Sequence, residues 1–169
     1  MRDSSLANEF HAGYRPGVIA EIVQLHMDYY GPVWGFGIPF ETGLATGLGA
    51  FLAGYNDELD LLQCARDKTG ALLGAIAVSG RDRFPDTARI RWFIVADRAQ
   101  GSGLGAGLFQ TALSFCRDAD FQSAWLTTFE GLEAARALYL KAGFRLTGEA
   151  DEDEWSGGVR EQHYELRFY

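Results

Sequence analysis

The sequence predicts a mixed α/β (α+β) fold: one curved, mostly antiparallel sheet of about six to seven strands, flanked by about four helices. Three observations lead there. Residues 89–107 read as a strand, a glycine-rich turn and the start of a helix. Residues 59–66 and 71–78 flank Asp67-Lys68-Thr69-Gly70, the pattern of a hairpin. After residue 104, helical and strand-like patterns alternate to the C-terminus, and a right-handed crossover through the helix at 104–118 makes strands 90–95 and 121–129 parallel.

In chain order, residues 1–12 read as a loose start, with room for one short strand before the first helix. Gly13-Tyr14-Arg15-Pro16-Gly17 is a turn. Ile19, Ile22, Val23 and His26 follow helical spacing, and Gly31-Pro32 stops that helix. Segment 31–40 is rich in aromatics and glycine. It suits either an apolar substrate mouth or a surface loop pinned by its own rings. A second helix covers 40–55, weakened by Gly43, Gly47, Gly49 and Gly54. The hairpin and a polar connection at 80–86 follow, then the strand–turn–helix unit. Residues 121–129 form a strand, and 131–142 a helix with its apolar stripe at Leu132, Ala135, Leu138, Tyr139 and Ala142, stopped by Gly143. Strands at 144–149 and 159–169 flank the acidic loop 151–158. The order is α-α-β-β-β-α-β-α-β-β.

The chain has 169 residues, enough for a single domain (1–169) with a sizeable core, and 47% of them are hydrophobic. A net charge of −8 disfavours nucleic acid and anionic membrane as partners. There is no apolar run of transmembrane length, and Met1-Arg2-Asp3-Ser4-Ser5 has no adjoining signal segment. Cys64 and Cys116 are isolated thiols without metal-ligand spacing, so no metal is expected and a cytoplasmic setting fits.

A glycine turn opening a helix suits a phosphate. Backbone N–H groups approach the anion closely, and the helix N-terminus adds partial positive charge worth roughly 0.3–1 kcal/mol. Three motifs compete for this turn. A nucleotide-binding P-loop requires Gly-Lys-Ser/Thr, which is absent. Gly101-x-Gly103-x-x-Ala106 satisfies a dinucleotide fingerprint, but the next strand ends in Thr127-Thr128-Phe129 rather than the ribose-binding acid. The third reading accounts for more residues. Gln100-Gly101-Ser102-Gly103-Leu104-Gly105 resembles the Gln/Arg-x-x-Gly-x-Gly/Ala motif of the GNAT superfamily of acyl-CoA N-acyltransferases; a register two residues earlier also fits. Residues 135–144 resemble that superfamily's Ala-x-x-x-Tyr-x-x-x-Gly-Phe segment. The likeness spans about residues 14–168. From Arg89 onward it is similar to the acetyltransferase halves fused to MarR-type regulators, although no winged-helix half is present.

The resemblance implies a GNAT-like fold that uses acetyl-CoA as co-substrate and acetylates a primary amine of a small molecule or peptide. It implies that Phe93, Ile94 and Val95 pair through their backbone with the pantetheine arm. Gln100, Gly101, Ser102, Gly103, Leu104, Gly105 and Ala106 would hold the pyrophosphate. Tyr139 matches the tyrosine that protonates the departing thiolate, and a phenol near pKa 10 stays protonated for that task. The base is less defined. Glu130 is the nearest carboxylate by sequence, His163 is a further option, and a water relay a third. Leu132 stands where the superfamily often has a cofactor-contacting Asn, a role that backbone atoms at 129–131 could take over. The acidic loop 151–154 would suit a cationic acceptor. A non-catalytic acyl-CoA-binding module remains the alternative, and a homodimer stays open.

Overall fold

The computed structural model describes residues 9–80, 84–155 and 157–169. The N-terminal pentapeptide, Arg81 to Arg83 in the polar connection, and Ser156 lie outside these residues. Strand β1 (Glu9–Ala12) leads into helices α1 (Val18–Trp34) and α2 (Ile38–Ala53). Strands β2 (Leu61–Arg66), β3 (Leu72–Ser79) and β4 (Thr87–Val95) come next, then helix α3 (Leu104–Asp118) and strand β5 (Ser123–Phe129). Helix α4 (Glu133–Ala142) and strands β6 (Arg145–Ala150) and β7 (Glu161–Arg167) complete the chain. The seven strands form one sheet in the order β1-β2-β3-β4-β5-β7-β6. Only β4 and β5 run parallel; the other neighbours are antiparallel.

The expected element order is present, and the optional first strand is real. Residues 9–12 are therefore not a loose start: they pair with β2 from Glu9↔Arg66 to Ala12↔Gln63. Their anchor is polar. Buried Arg66 donates to His11 Nε2 (2.9 Å) and to both Glu21 oxygens (2.6 and 3.0 Å), tying β1, β2 and α1 together.

Two hydrophobic cores lie on opposite faces of the sheet. Under α3 and α4 pack Leu108, Phe109, Leu113, Phe121, Tyr139 and Tyr164. Under α1 and α2 pack Val18, Ile22, Phe40, Leu48, Leu62 and Phe129. Helix α1 continues past Gly31-Pro32 to Trp34. A proline in the last turn removes only one hydrogen bond, and left-handed Gly35 closes the end on the Gly31 and Tyr30 carbonyls. Helix α2 forms despite its glycines because Phe40, Leu44, Leu48 and Phe51 bury one stripe. Tertiary burial of about 1.5–3 kcal/mol per large side chain exceeds about 1 kcal/mol per glycine.

Candidate active site

The site begins where β4 and β5 part. Their parallel pairing covers only Thr87↔Ser123, Ala88↔Ala124 and Arg89↔Trp125. Beyond Arg89 the two strands diverge, while the other edge of β4 stays paired with β3 up to Gly74↔Val95. One edge of residues 90–95 therefore has no partner strand; the Val95 carbonyl is met by the Gln100 side-chain amide at 3.5 Å. A bulge sits in this stretch: the register slips between Ala75↔Ile94 and Ala77↔Arg91. Trp92 takes φ of 47°, left-handed backbone for a bulky side chain, at a cost of about 1–3 kcal/mol. Packing holds it there. The Trp92 ring meets Phe51 at 5.4 Å and carries the Arg91 guanidinium at 4.0 Å. Helix α2 comes so near that a Cβ on Gly47 would stand 3.1 Å from the indole.

The glycine turn closes one end of this opening. Gly101 and Gly103 have φ of 76° and 89°, which glycine adopts freely, and Gly103 is the N-cap of α3. The N–H groups of Gly101, Gly103, Gly105 and Ala106 make no hydrogen bond to another described residue. All four residues line a cavity of about 490 Å³. The turn thus presents a cluster of unengaged donors at a helix N-terminus, which fits an anionic group such as a pyrophosphate. Gln100 folds its side-chain amide back onto Asp97 (3.3 Å) and lines the rim.

The cavity runs from that turn along Phe93, Ile94 and Val95 to Tyr139. The Tyr139 ring is wedged among Phe109, Phe144 and Tyr164 at 5.4 to 6.2 Å. Burial, with a contribution from Tyr164, pushes its pKa far above the usual phenol range. It is a neutral donor throughout the physiological range. Its hydroxyl makes no hydrogen bond to a described residue.

Beyond Tyr139 the walls come from α1, α2, β5 and the loop after β6, with His26, Tyr30, Phe40, Phe129 and Trp155 among them. A second hollow of about 300 Å³ shares Phe40, Leu44, Arg91, Trp92, Thr127 and Trp155 and continues outward. The aromatic segment is divided: Tyr30 and Phe40 face the cavity, while Phe36 packs beneath them against Phe40 (4.8 Å) and Phe129 (5.5 Å).

Several expected residues lie elsewhere. Leu104 does not line the cavity, because its side chain belongs to the core under α3. Ser102 is also absent from the lining; its Oγ donates to the Ala99 carbonyl and accepts the Leu104 N–H. Glu130 is exposed and outside the cavity, since the turn after β5 is fixed by its own N–H donating to Arg160 O (3.0 Å). His163 pairs with Glu161 on β7 (2.6 Å), away from the cavity. Leu132 does line it. Three of the four carboxylates of the acidic loop are engaged, and Glu152 is exposed. Asp153 caps the N–H groups of Trp155, Gly157 and Val159, Asp151 pairs with Arg160, and Glu154 pairs with Arg89. Among the described residues, no cluster could hold a metal ion and no helix is long and apolar enough to cross a membrane. Both cysteines are buried, which pushes the Cys64 thiol to about 11 and Cys116 to about 12.

Sequence reasoning missed His26 and Trp92 as wall residues. His26 carried only a helical-spacing signal, and a bulge at Trp92 carries none.

Residues 19–144 match the Acetyltransferase (GNAT) family. The chain belongs to this family. None of the curated proteins compared matches the sequence significantly. Solved structures resemble it in fold. A GNAT-family acetyltransferase from Staphylococcus aureus Mu50 superposes with a TM-score of 0.75 at 14% identity, covering 95% of this chain and 100% of the other. The ribosomal-protein-alanine N-acetyltransferase from Brucella melitensis gives 0.73 at 14%, over 95% and 100%. The putative acetyltransferase YncA from Salmonella typhimurium, solved with its cofactor acetyl-CoA, gives 0.70 at 13%, over 96% and 95%. The GNAT fold of this chain is thus clear, and at these identities the likeness is one of fold.

Proposed function

We propose that this GNAT-family chain is an acetyl-CoA-dependent N-acetyltransferase that moves the acetyl group to a primary amine by direct attack. The observation that carries this reading is continuity. One cavity joins the unengaged N–H groups of the glycine turn, the open edge of β4 and the Tyr139 hydroxyl. Acetyl-CoA supplies the thioester. The N–H groups of Gly101, Gly103, Gly105 and Ala106 would hold its pyrophosphate, with Gln100, Ser102 and Leu104 shaping the turn. The backbone of Phe93, Ile94 and Val95 would pair with its extended arm as an added strand does. That the YncA structure contains acetyl-CoA supports this choice of co-substrate.

Acyl transfer to an amine needs a neutral nitrogen, a donor for the developing oxyanion and a proton for the sulfur. Tyr139 would donate that proton. Burial keeps it protonated, and its hydroxyl is not committed to another described residue. Glu130 lies outside the cavity, and that carboxylate has no part in freeing the amine in this reading.

Calorimetric titration with acetyl-CoA, beside NAD, tests the binding step. Saturable acetyl-CoA binding without NAD binding is expected, and no binding at millimolar acetyl-CoA overturns the proposal. Thiol release in the presence of amines then separates a transferase from a non-catalytic acyl-CoA-binding module.

A further inference from the structure

We infer that the acceptor is a weakly basic amine on an apolar body, received uncharged beside His26, whose Nε2 accepts a hydrogen bond from the acceptor N–H. This inference rests on the transferase reading and names the substrate class of that site.

The far end of the cavity is built from His26, Tyr29, Tyr30, Phe40, Leu44 and Trp92. Rings dominate it: Tyr30 meets Phe40 at 5.4 Å and Phe129 at 5.7 Å. Such walls favour an apolar body over a polycation.

His26 is a buried polar group at this end, only 4% exposed. Its Nδ1 lies 2.8 Å from the Ile22 carbonyl. A carbonyl only accepts, so Nδ1 carries the hydrogen and Nε2 is left with its lone pair. Nε2 makes no hydrogen bond to another described residue. Burial lowers the imidazole pKa to about 4, so the ring is neutral at working pH. It can orient an N–H, but it is too weak a base to strip an ammonium of pKa about 10.4.

Among the described residues, nothing else lining the cavity supplies a strong base. From α1 come Tyr29 and Tyr30, and from α4 Tyr139; burial raises the pKa of Tyr30 and of Tyr139. From β4 comes cationic Arg91, stacked on Trp92. The Arg89–Glu154 pair, at 3.0 Å, spans β4 and the loop after β6. Glu133, in the first turn of α4, is 73% exposed and 3.8 Å from Arg136. Helix α2 and strand β5 contribute no charged lining residue.

The acceptor must therefore arrive already neutral. Its nitrogen lone pair forms the C–N bond to the thioester carbon. The C–S bond breaks, its electron pair stays on sulfur, and sulfur takes the Tyr139 proton. The nitrogen, made acidic by acylation, gives its proton to His26 Nε2. The strongly acidic imidazolium returns a proton through solvent to the Tyr139 phenolate, and both side chains are restored. At pH 7 roughly a tenth of an α-amino-type amine is neutral, against about one part in a few thousand of a lysine-like amine.

The test uses the full chain, saturated with acetyl-CoA, and three acceptors in a thiol-release assay. Phenylalaninamide and phenethylamine share an aromatic body and differ in basicity; spermidine is the polycation. The expected result at pH 7 is kcat/KM at least tenfold higher for phenylalaninamide than for phenethylamine. For phenethylamine, kcat/KM should climb about tenfold per pH unit from 7 to 9; for phenylalaninamide it should level off near pH 8. A flat phenethylamine profile, a preference for spermidine, or acetyl-CoA binding without turnover of any of the three overturns the inference. Failure to bind acetyl-CoA, read separately by calorimetry, overturns the transferase reading beneath it. His26→Phe keeps the ring volume and should lower kcat/KM for phenylalaninamide at least tenfold, with acetyl-CoA affinity within twofold of the parent. His26→Gln should restore part of the loss. Full activity in His26→Phe overturns the role of the histidine. If that variant does not fold, the pH profiles of the parent protein decide.

Discussion

Tyr30 and Tyr139 look into one cavity from helices on opposite faces of the sheet. Their hydroxyls are within electrostatic reach of each other: burial raises the pKa of Tyr30 first, and the proximity of Tyr139 raises it further. The relationship exists because β4 and β5 separate beyond Arg89. An unbroken sheet would hold the two tyrosines apart. The opening instead joins the two cores, so an acyl group laid along β4 is reachable from both sides.

The two phenols divide the labour unequally. Tyr139→Phe removes the proposed proton donor and keeps the ring among Phe109, Phe144 and Tyr164. General acid catalysis is worth about 10²- to 10⁴-fold. Thiol release should fall by at least about a hundredfold, with acetyl-CoA affinity little changed by calorimetry. Tyr30→Phe, which keeps the ring packing, should cost far less. Equal losses in both variants would remove the special role of Tyr139.

The glycine turn contains two kinds of glycine. Gly103 has φ of 89°, so Gly103→Ala should destabilise the fold by about 1–2 kcal/mol and weaken acetyl-CoA binding. Gly105 is helical, and an added Cβ would meet Phe93 and Val95 at an ordinary 3.5 Å. Gly105→Ala should leave stability unchanged or raise it by up to about 1 kcal/mol. Urea denaturation of both variants checks this contrast. Similar destabilisation by the two would show that conformation is not what distinguishes them.

Legibility in the sequence followed the range of the interactions. Helix α3, at 104–118, was readable end to end because its start is a local glycine signal and its apolar face repeats at helical spacing. The glycine turn and Tyr139 were readable for the same local reason. Helix α1 runs two residues beyond Pro32, because its end depends on left-handed Gly35. In loop 151–154 the partners of Glu154 and Asp151, Arg89 and Arg160, come from outside the loop, so the acid-rich stretch alone does not reveal them. Glu130 looked close to the chemistry by sequence distance, but the β5 turn directs it to solvent. Trp92 and His26 come to line one cavity only when α1 packs on the bulged strand, so no local pattern could place them there.

Buried His26 also makes stability depend on pH. Its pKa falls from 6.5 to about 4 on folding, because burial disfavours the charged ring more than the Ile22 hydrogen bond supports it. The stabilising contribution is complete above the unfolded value, near 6.5. It is lost as pH falls through the folded value, since the unfolded chain takes up the proton first. The loss amounts to roughly 3 kcal/mol between those limits. Urea midpoints measured from pH 7 to pH 4 should fall steeply in the parent protein and less in His26→Phe. Parallel curves would show that His26 titrates normally.

Arg66 carries the last prediction. Its side chain is 9% exposed, and its guanidinium donates to Glu21, to His11 and to the Gly70 carbonyl (2.9 Å). Arg66→Met keeps much of the stem and its packing but leaves the partly buried Glu21 carboxylate, His11 and a carbonyl without their donor. Breaking a buried pair from one side costs about 3–5 kcal/mol, and the 35% exposure of Glu21 places this case at or below the lower end. Arg66→Met paired with Glu21→Gln removes both charges and should recover part of the loss. Denaturation of the two single variants and the double variant measures the coupling. Additive losses would mean that the ion pair does not join β2 to α1, and that the first strand is held by its backbone pairing alone.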